Sequence, residues 1–304
     1  MGETVIALGF FDGVHRGHAA LLRRTAEIAA QKGAASALFT FDRPPKEVVT
    51  GVPCPLINSP QDRAYLARSL YGIQEVIIAP FNREMMSTPW DAFVTELLVG
   101  RFHAVHLVAG YDHCFGHKNQ GTPARLQAKC AELGIGCDLI PKVALDGVTV
   151  SSSHIRALLQ AGEIEDANRF LGHPHILTQT VRHGHAIGHT FLVPTVNLIL
   201  PPHVLSPARG VYAARVILPD GSAKTAVTNI GTRPTVGNGS DVTVESWILD
   251  FDGDLYGQEI RVEFHHRIRE EIRFPTLDAL RNQIAADAEA ARRWFQEHHN
   301  CLTV

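Results

Sequence analysis

Gly9-Phe10-Phe11-Asp12-Gly13-Val14-His15-Arg16-Gly17-His18 lies between two patterned segments. Before it runs the apolar stretch Val5-Ile6-Ala7-Leu8, which reads as a strand. After it, Leu21, Leu22, Thr25, Ile28 and Ala29 recur on one helical face. The ten residues are therefore a glycine-rich turn that leads from a strand into a helix N-terminus. Backbone N–H groups point out of such a helix start and its dipole end is positive, so phosphate is the natural guest. His15 and His18 are three apart and can face that guest together. Gly13 and Gly17 lack side chains, so a polyphosphate can approach the backbone. No Gly-Lys-Ser/Thr follows, which excludes a Walker loop. A bare His-x-x-His would read first as two histidines capping or packing a helix start. A zinc pair would need a cysteine or carboxylate cluster at ligand spacing, and none is nearby.

The whole chain has 304 residues, enough for about two domains. Hydrophobic residues make up 45% and charged residues 19%, as in an ordinary globular protein. A net charge of −3 leaves no basic footprint for nucleic acid. No apolar run reaches about 18 residues, so no membrane span is expected. Met1-Gly2-Glu3-Thr4 lacks the basic flank of a signal peptide. Cys54, Cys114, Cys130, Cys137 and Cys301 contain no Cys-x-x-Cys pair, and reduced thiols in a cytoplasmic protein account for them. The histidine groups 173/175, 183/185/189, 265/266 and 298/299 read as solvated surface, since none has a full ligand set.

Residues 1 to about 172 alternate strand and helix. Strands are expected at 37–41, 75–79, 104–109 and 137–140. Helix starts are expected at Ser59-Pro60, Thr88-Pro89 and Thr122-Pro123, each a hydroxyl cap followed by proline. The alternation predicts a parallel sheet covered on both faces, with ligands at the carboxyl ends of its strands. The opening turn, Asp42 and Gly110-Tyr111-Asp112 all fall at such ends. Val150-Ser151-Ser152-Ser153-His154-Ile155-Arg156 then starts a helix in which serines can cap or bind phosphate and Arg156 can clamp it. A short helix over 164–171 follows, and Gly172-His173-Pro174 ends the pattern. This places a domain boundary at 174, giving domains 1–174 and 175–304.

Beyond 176 the texture is all-β, with six strands expected at 177–181, 193–199, 211–218, 224–230, 243–251 and 259–268. Gly184, Pro201-Pro202, Pro219-Asp220-Gly221 and Asp252-Gly253 mark their turns. This spacing predicts a small antiparallel barrel. Thr276 caps a last helix that presents Leu277, Leu280, Ile284 and Ala288 to the barrel. Asp250, Asp252 and Asp254 resemble the start of a calcium loop. However, Leu255 stands where that loop needs glycine and Arg261 where it needs glutamate, so a turn is the better account.

These stretches together carry a family resemblance. The His-x-Gly-His element resembles the signature of a nucleotidyltransferase superfamily. The full ten residues resemble the form found in prokaryotic bifunctional riboflavin kinase/FAD synthetases. Residues 150–156 resemble that family's Ile-Ser-Ser-Thr-x-Ile-Arg, with Val150 and Ser153 as mild changes. Pro194-Thr195-Val196-Asn197 is similar to its Pro-Thr-Ala-Asn, and Asn229-Ile230-Gly231-Thr232-Arg233-Pro234-Thr235 to its Asn-Ile-Gly-x-Arg-Pro-Thr. Val244-Glu245, the turn through Gly257, Ile268-Arg269-Glu270 and the region from Phe274 to Asp287 follow in family order. The implied fold is an N-terminal Rossmann-like nucleotidyltransferase domain plus a C-terminal six-stranded barrel with a terminal helix.

The resemblance implies two ATP-dependent, Mg²⁺-assisted steps: riboflavin to FMN in the barrel, then FMN to FAD with release of pyrophosphate in the α/β domain. It implies catalytic roles for Glu245 as base and for His15 and His18 as stabilisers of phosphate charge. Gly9, Phe11, Asp12, Gly13, Gly17, Ser151, Ser152 and Arg156 would bind the nucleotide or its phosphates. Thr195 and Asn197 would bind ATP and Mg²⁺, and Asp112, Asn229 and Arg233 the flavin. Asn119 and the 110–116 loop would touch adenine or flavin. Riboflavin, FMN, FAD and ATP are the implied partners.

Some positions depart from the family pattern. Leu192-Val193 replaces Gly-Phe before Pro194, where a leucine crowds ATP. His189 stands for a basic residue, Val196 for alanine, and Thr40-Phe41-Asp42-Arg43-Pro44-Pro45 lacks the family's histidine. His113 replaces an aromatic in Gly110-Tyr111-Asp112-His113-Cys114-Phe115-Gly116. Two alternatives therefore stay open at this point: an FMN adenylyltransferase with an inactive barrel, and a non-catalytic flavin- or nucleotide-binding protein.

Overall fold

The structure is a computed structural model that describes residues 2–182, 194–234 and 240–298. It divides into two compact units, Met1–Ser152 and Ser153–Val304.

The first unit is built on five parallel strands: β1 (Thr4–Leu8), β2 (Ala35–Phe41), β3 (Glu75–Ala79), β4 (Ala104–Gly110) and β5 (Gly136–Ile140). Their order is β3-β2-β1-β4-β5, so the sheet reverses direction of growth between β1 and β4. Helix α1 (Arg16–Lys32) buries the expected Leu21, Leu22, Thr25, Ile28 and Ala29. It is tied to the sheet by a chain in which Arg24 pairs with Asp138 and Asp138 with His106. The His106 ring lies against Gly136, where any Cβ would overlap it.

Short α2 (Pro45–Thr50) precedes α3 (Pro60–Tyr71), which the Ser59 side chain caps as expected. The helix expected from Thr88 differs. After α4 (Arg83–Ser87), Thr88 donates its hydroxyl back to the Glu84 carbonyl and closes that helix instead of capping the next. The following α5 (Trp90–Ala92) continues as a π-helix, Phe93–Arg101. Phe93, Val94 and Leu98 of this stretch are buried in the core. Helix α6 (Pro123–Glu132) is capped by Thr122. A small hairpin, β6 (Ala144–Leu145) and β7 (Val148–Thr149), leads to Ser151.

The second unit opens with α7 (Ser152–Ala161) and α8 (Ile164–Leu171). Six antiparallel strands follow: β8 (His175–Thr180), β9 (Val196–Ile199), β10 (Gly210–Ile217), β11 (Ala223–Pro234), β12 (Ser240–Ile248) and β13 (Glu259–Arg269). Their order is β8-β13-β10-β11-β12-β9, and a bridge from Arg182 to Asn197 brings the two ends together into the expected barrel. Tyr212, Ala214, Val216, Ala226, Ile230, Val244, Val262 and Phe264 are buried apolar strand residues. Val211, Ala213 and Val227, at the other strand parity, pack on helix α9 (Leu277–Glu297). Thr276 caps α9 as expected. Its packing face is Asp287, Ala288, Ala291 and Phe295, whereas Leu277 is exposed. Helix α8 buries Ile164, Ala167, Phe170 and Leu171, and the Asn168 amide bonds both the His175 N–H and the Phe264 carbonyl.

Candidate active sites

The opening turn lies at the carboxyl end of β1, beside the β1–β4 switch, where open α/β sheets bind ligands. Its backbone turns through positive φ at Phe11 (56°), Gly13 (84°) and Val14 (42°). A β-branched residue at positive φ is costly and persists only when its surroundings hold it. Asp12 supplies part of that hold: its buried carboxylate accepts the Ile57 N–H at 2.8 Å. The Ser152 hydroxyl donates to the Asp12 carbonyl at 2.9 Å. His15 is the N-cap of α1 and accepts the His18 N–H at 3.3 Å. The two imidazoles stack at 3.6 Å, 9° from parallel. A Cβ on Gly17 would meet the His15 ring at 3.1 Å, so glycine lets the stack form. Burial, then His15 and then Arg63, hold the His18 pKa well below its ordinary value. The ring is neutral at pH 7, and its buried Nδ1 has no hydrogen-bond partner among the described residues.

Gly9, His15, Gly17, His18, Asp112, Ser151 and Ser152 line one cavity of about 360 Å³. A second cavity of about 350 Å³ is aromatic, with Phe39, Phe41, Phe81, Phe93 and Phe115, two methionines, Lys46, Lys118 and Asn119. The two share Leu8, Gly9, His113 and Cys114. His113 stacks on Phe115, and burial brings its pKa down to about 4. An aromatic slot and a histidine- and serine-lined chamber at a helix N-terminus, with a common wall, suit a molecule that carries a flat ring at one end and a phosphate at the other.

In the barrel, one row of register runs Asn197–Glu245–Asn229–Val211–Arg269 across β9, β12, β11, β10 and β13. Directly paired residues share a face, and here the shared face is the one covered by α9. Glu245 and Asn229 line a cavity of about 320 Å³ with Thr195, Trp247, Phe274, Leu280, Ile284 and the ion pair of half-buried Arg269 with buried Asp287. Thr195 also lines a neighbouring cavity of about 370 Å³, with Pro194, Val196 and the 251–256 turn. Thr195 therefore stands where two chambers adjoin, with Glu245 lining one of them and Asp252 and Asp254 lining the other.

Residues 1–154 match the FAD synthetase family model, and residues 171–295 match the riboflavin kinase model. The bifunctional riboflavin kinase/FMN adenylyltransferase of Haemophilus influenzae is 36% identical over 292 residues, covering 95% of this chain and 94% of that one. The protein of the same name from Escherichia coli strain K12 is 35% identical, covering 96% and 92%. The chain belongs to the bifunctional riboflavin kinase/FMN adenylyltransferase family. The crystal structure of a macrolide-efflux protein from Streptococcus pneumoniae is also similar, with TM-score 0.82 and 29% identity over 96% of this chain and 94% of that one. Among the described residues here, no helix is long and apolar enough to cross a membrane.

Within this family member, the structure brings Gly9, Gly17, His15, His18, Asp112, Ser151 and Ser152 to one cavity, and Thr195, Asn229 and Glu245 to another. Asp112 lies with the histidines and not in the aromatic slot. Phe11, Asp12 and Gly13 are buried beneath the turn, and the Phe11 ring tilts against His18 at 5.0 Å. Arg156 is on α7, where it bonds Ser153. Asn197 pairs with Glu245 in register. Arg233 is on β11, and its side chain is outside the described residues, as are His189, Leu192, Val193 and Thr235. Phe115 and Asn119 of the aromatic slot fall where the sequence expects a contact with adenine or flavin, whereas Phe39, Phe41, Phe81 and Phe93 carry no such signal. Trp247, the Arg269–Asp287 ion pair under α9 and Arg63 likewise carry no site signal in the residues alone. Only the family resemblance of the tail pointed near Arg269 and Asp287.

Proposed function

We propose that this chain makes FAD from riboflavin in two ATP-dependent steps, with FMN formed in the barrel and adenylylated in the parallel-sheet unit. The observation that carries the reading is the pair of cavities joined at Leu8, Gly9, His113 and Cys114. The aromatic slot takes the flavin ring of FMN and the histidine-lined chamber takes the phosphates. The FMN phosphate oxygen attacks the α-phosphorus of ATP and pyrophosphate leaves, so no protein nucleophile is needed. His15 and His18 hydrogen-bond the phosphate oxygens as charge builds on them; His18, neutral before ATP binds, contributes N–H donation more than charge. Ser151 and Ser152 hold phosphate beside them. Arg156, four residues beyond Ser152, is assigned as the triphosphate clamp on its motif. Phe11, Asp12 and Gly13 serve the nucleotide by shaping the turn.

In the barrel, Glu245 accepts the proton of the ribityl hydroxyl as that oxygen attacks the γ-phosphorus. Asn229 and Arg233 hold the flavin. Among the described residues no three His, Cys, Asp or Glu side chains converge as metal ligands. The Thr195 hydroxyl and Asn197 amide oxygen, beside the Glu245 carboxylate, are a hard-oxygen set that suits Mg²⁺, and they would hold it with ATP phosphates. Bound there, Mg²⁺ would neutralise phosphate charge. We assign adenylyl transfer to residues 1–174 and the kinase to 175–304. Cys54, Cys114, Cys130 and Cys137 are free thiols, which fits a cytoplasmic setting.

The test is chromatography of flavins after incubation with Mg-ATP, once with riboflavin and once with FMN. FAD from both is the expected result. FAD from FMN alone would withdraw the kinase assignment, and no product with flavin still bound would withdraw both.

A further inference from the structure

Behind the wall shared by the two cavities of the parallel-sheet unit lies an arginine. Arg63, on α3, is fully buried. Its Nη1 donates to the Phe10 carbonyl at 2.6 Å and to Thr40 Oγ1 at 3.0 Å, and its Nη2 donates to the Phe41 carbonyl at 2.9 Å. The Thr40 hydroxyl also donates to the Phe10 carbonyl, at 2.7 Å. The guanidinium lies over the Phe10 ring, 4.6 Å from its centre. Phe10 lines the histidine chamber and Phe41 the aromatic slot. One planar fork therefore fixes the carboxyl ends of β1 and β2, one on each side of the wall.

The same helix start holds the turn a second time, because Asp12 accepts the Ile57 N–H just before α3. Next in line is Phe11, whose ring leans on His18. Arg63 bonds carbonyls and a hydroxyl rather than a carboxylate. Burial brings its pKa down to about 10, so it remains charged at pH 7. A buried charge costs desolvation, and the three hydrogen bonds offset that cost only while the guanidinium keeps this geometry.

We propose that Arg63 is a positioning residue for adenylyl transfer, setting the Gly9–Val14 turn, and through Phe11 the His18 ring, against the point where FMN phosphate meets ATP. This rests on the reading that His18 serves that reaction. Lysine cannot replace the arginine, because a single ammonium cannot span both carbonyls.

The experiment compares full-length wild type, Arg63→Lys, Arg63→Met, His18→Ala and the Arg63→Lys/His18→Ala double variant. FAD formation is followed at saturating ATP with varied FMN. Arg63→Lys should lower kcat about 10- to 100-fold, the scale of a small misplacement of reacting groups, while the KM for FMN stays within about two-fold. Arg63→Met, which removes the buried charge and fills the space, should show the same split. In the His18→Ala background Arg63→Lys should cost less than about three-fold, since both act through one ring. Wild-type kcat in Arg63→Met, or the full loss from Arg63→Lys on top of His18→Ala, overturns the proposal. Wild-type kcat in His18→Ala alone overturns the site reading beneath it, a result distinct from either.

Discussion

Two imidazoles stacked at 3.6 Å cannot both carry charge cheaply, and the helix start adds its own positive potential. Under the proposed function, a neutral His18 ring offers a hydrogen-bond donor to phosphate without repelling its stacked neighbour. His18→Ala should lower FAD formation from FMN by about 10²- to 10³-fold, as for loss of one transition-state donor. FMN formation from riboflavin should not change, which the flavin chromatogram reads directly. Glu245→Gln should do the reverse, lowering FMN formation by at least about 10²-fold and sparing FAD formation from supplied FMN.

Buried histidines also set an acid limit. Burial, with His173 adding to it, brings His175 to about 3, and His113 sits at about 4. The unfolded chain takes up these protons near 6.5. Below that value the unfolded state binds more protons, so the stability contributed by a neutral ring is full above about 6.5 and is lost as pH falls toward the folded value. His175→Leu should flatten the stability of the barrel unit between pH 6 and 4 by about 1.4 kcal/mol per pH unit, measured by urea unfolding.

Helix α9 is the roof of the Glu245 cavity, and its attachment is polar as well as apolar. Arg269 holds Asp287 through both carboxylate oxygens, at 2.9 and 2.7 Å, and Gln283 bonds the same group. Removing one partner leaves the other charged and poorly solvated. Asp287→Ala should cost about 3 kcal/mol in urea unfolding and lower kinase activity, because Leu280 and Ile284 of the same helix line that cavity. Much of this element was legible beforehand. Thr276 was read as the cap and Ala288 as a packing residue, since cap chemistry and helical period are local. Leu277 was misplaced because periodicity cannot tell where along a helix its support ends. The π-helical stretch from Phe93 was read as ordinary helix for a related reason. The apolar pattern of an α-helix and of a π-helix over nine residues is nearly the same, and only the hydrogen-bond offset tells them apart.

For the whole molecule, compactness and motif divide the chain at different points. Helices α7 and α8 pack with the barrel unit, while Ser151 and Ser152 line the histidine chamber. A fragment of 153–304 should therefore fold more stably than one of 175–304. The shorter piece loses the Asn168 bonds to His175 and Phe264 and the buried face of α8. Thermal unfolding of the two fragments checks this, with a drop of several degrees expected for the shorter one.

From the residues alone came the alternating half, the barrel half, the phosphate turn with its two histidines, and the hydroxyl-rich helix start near Ser152. Each is written in neighbours a few positions apart, as period, cap or turn chemistry. The family resemblance added the roles. Tertiary structure alone decided which face of the barrel carries Glu245, that Asn197 and Asn229 stand beside it, and that five scattered phenylalanines form one slot. It also placed Arg63 behind the wall of the site. These depend on strand register and on packing between segments tens to hundreds of residues apart, and local pattern carries no information about either.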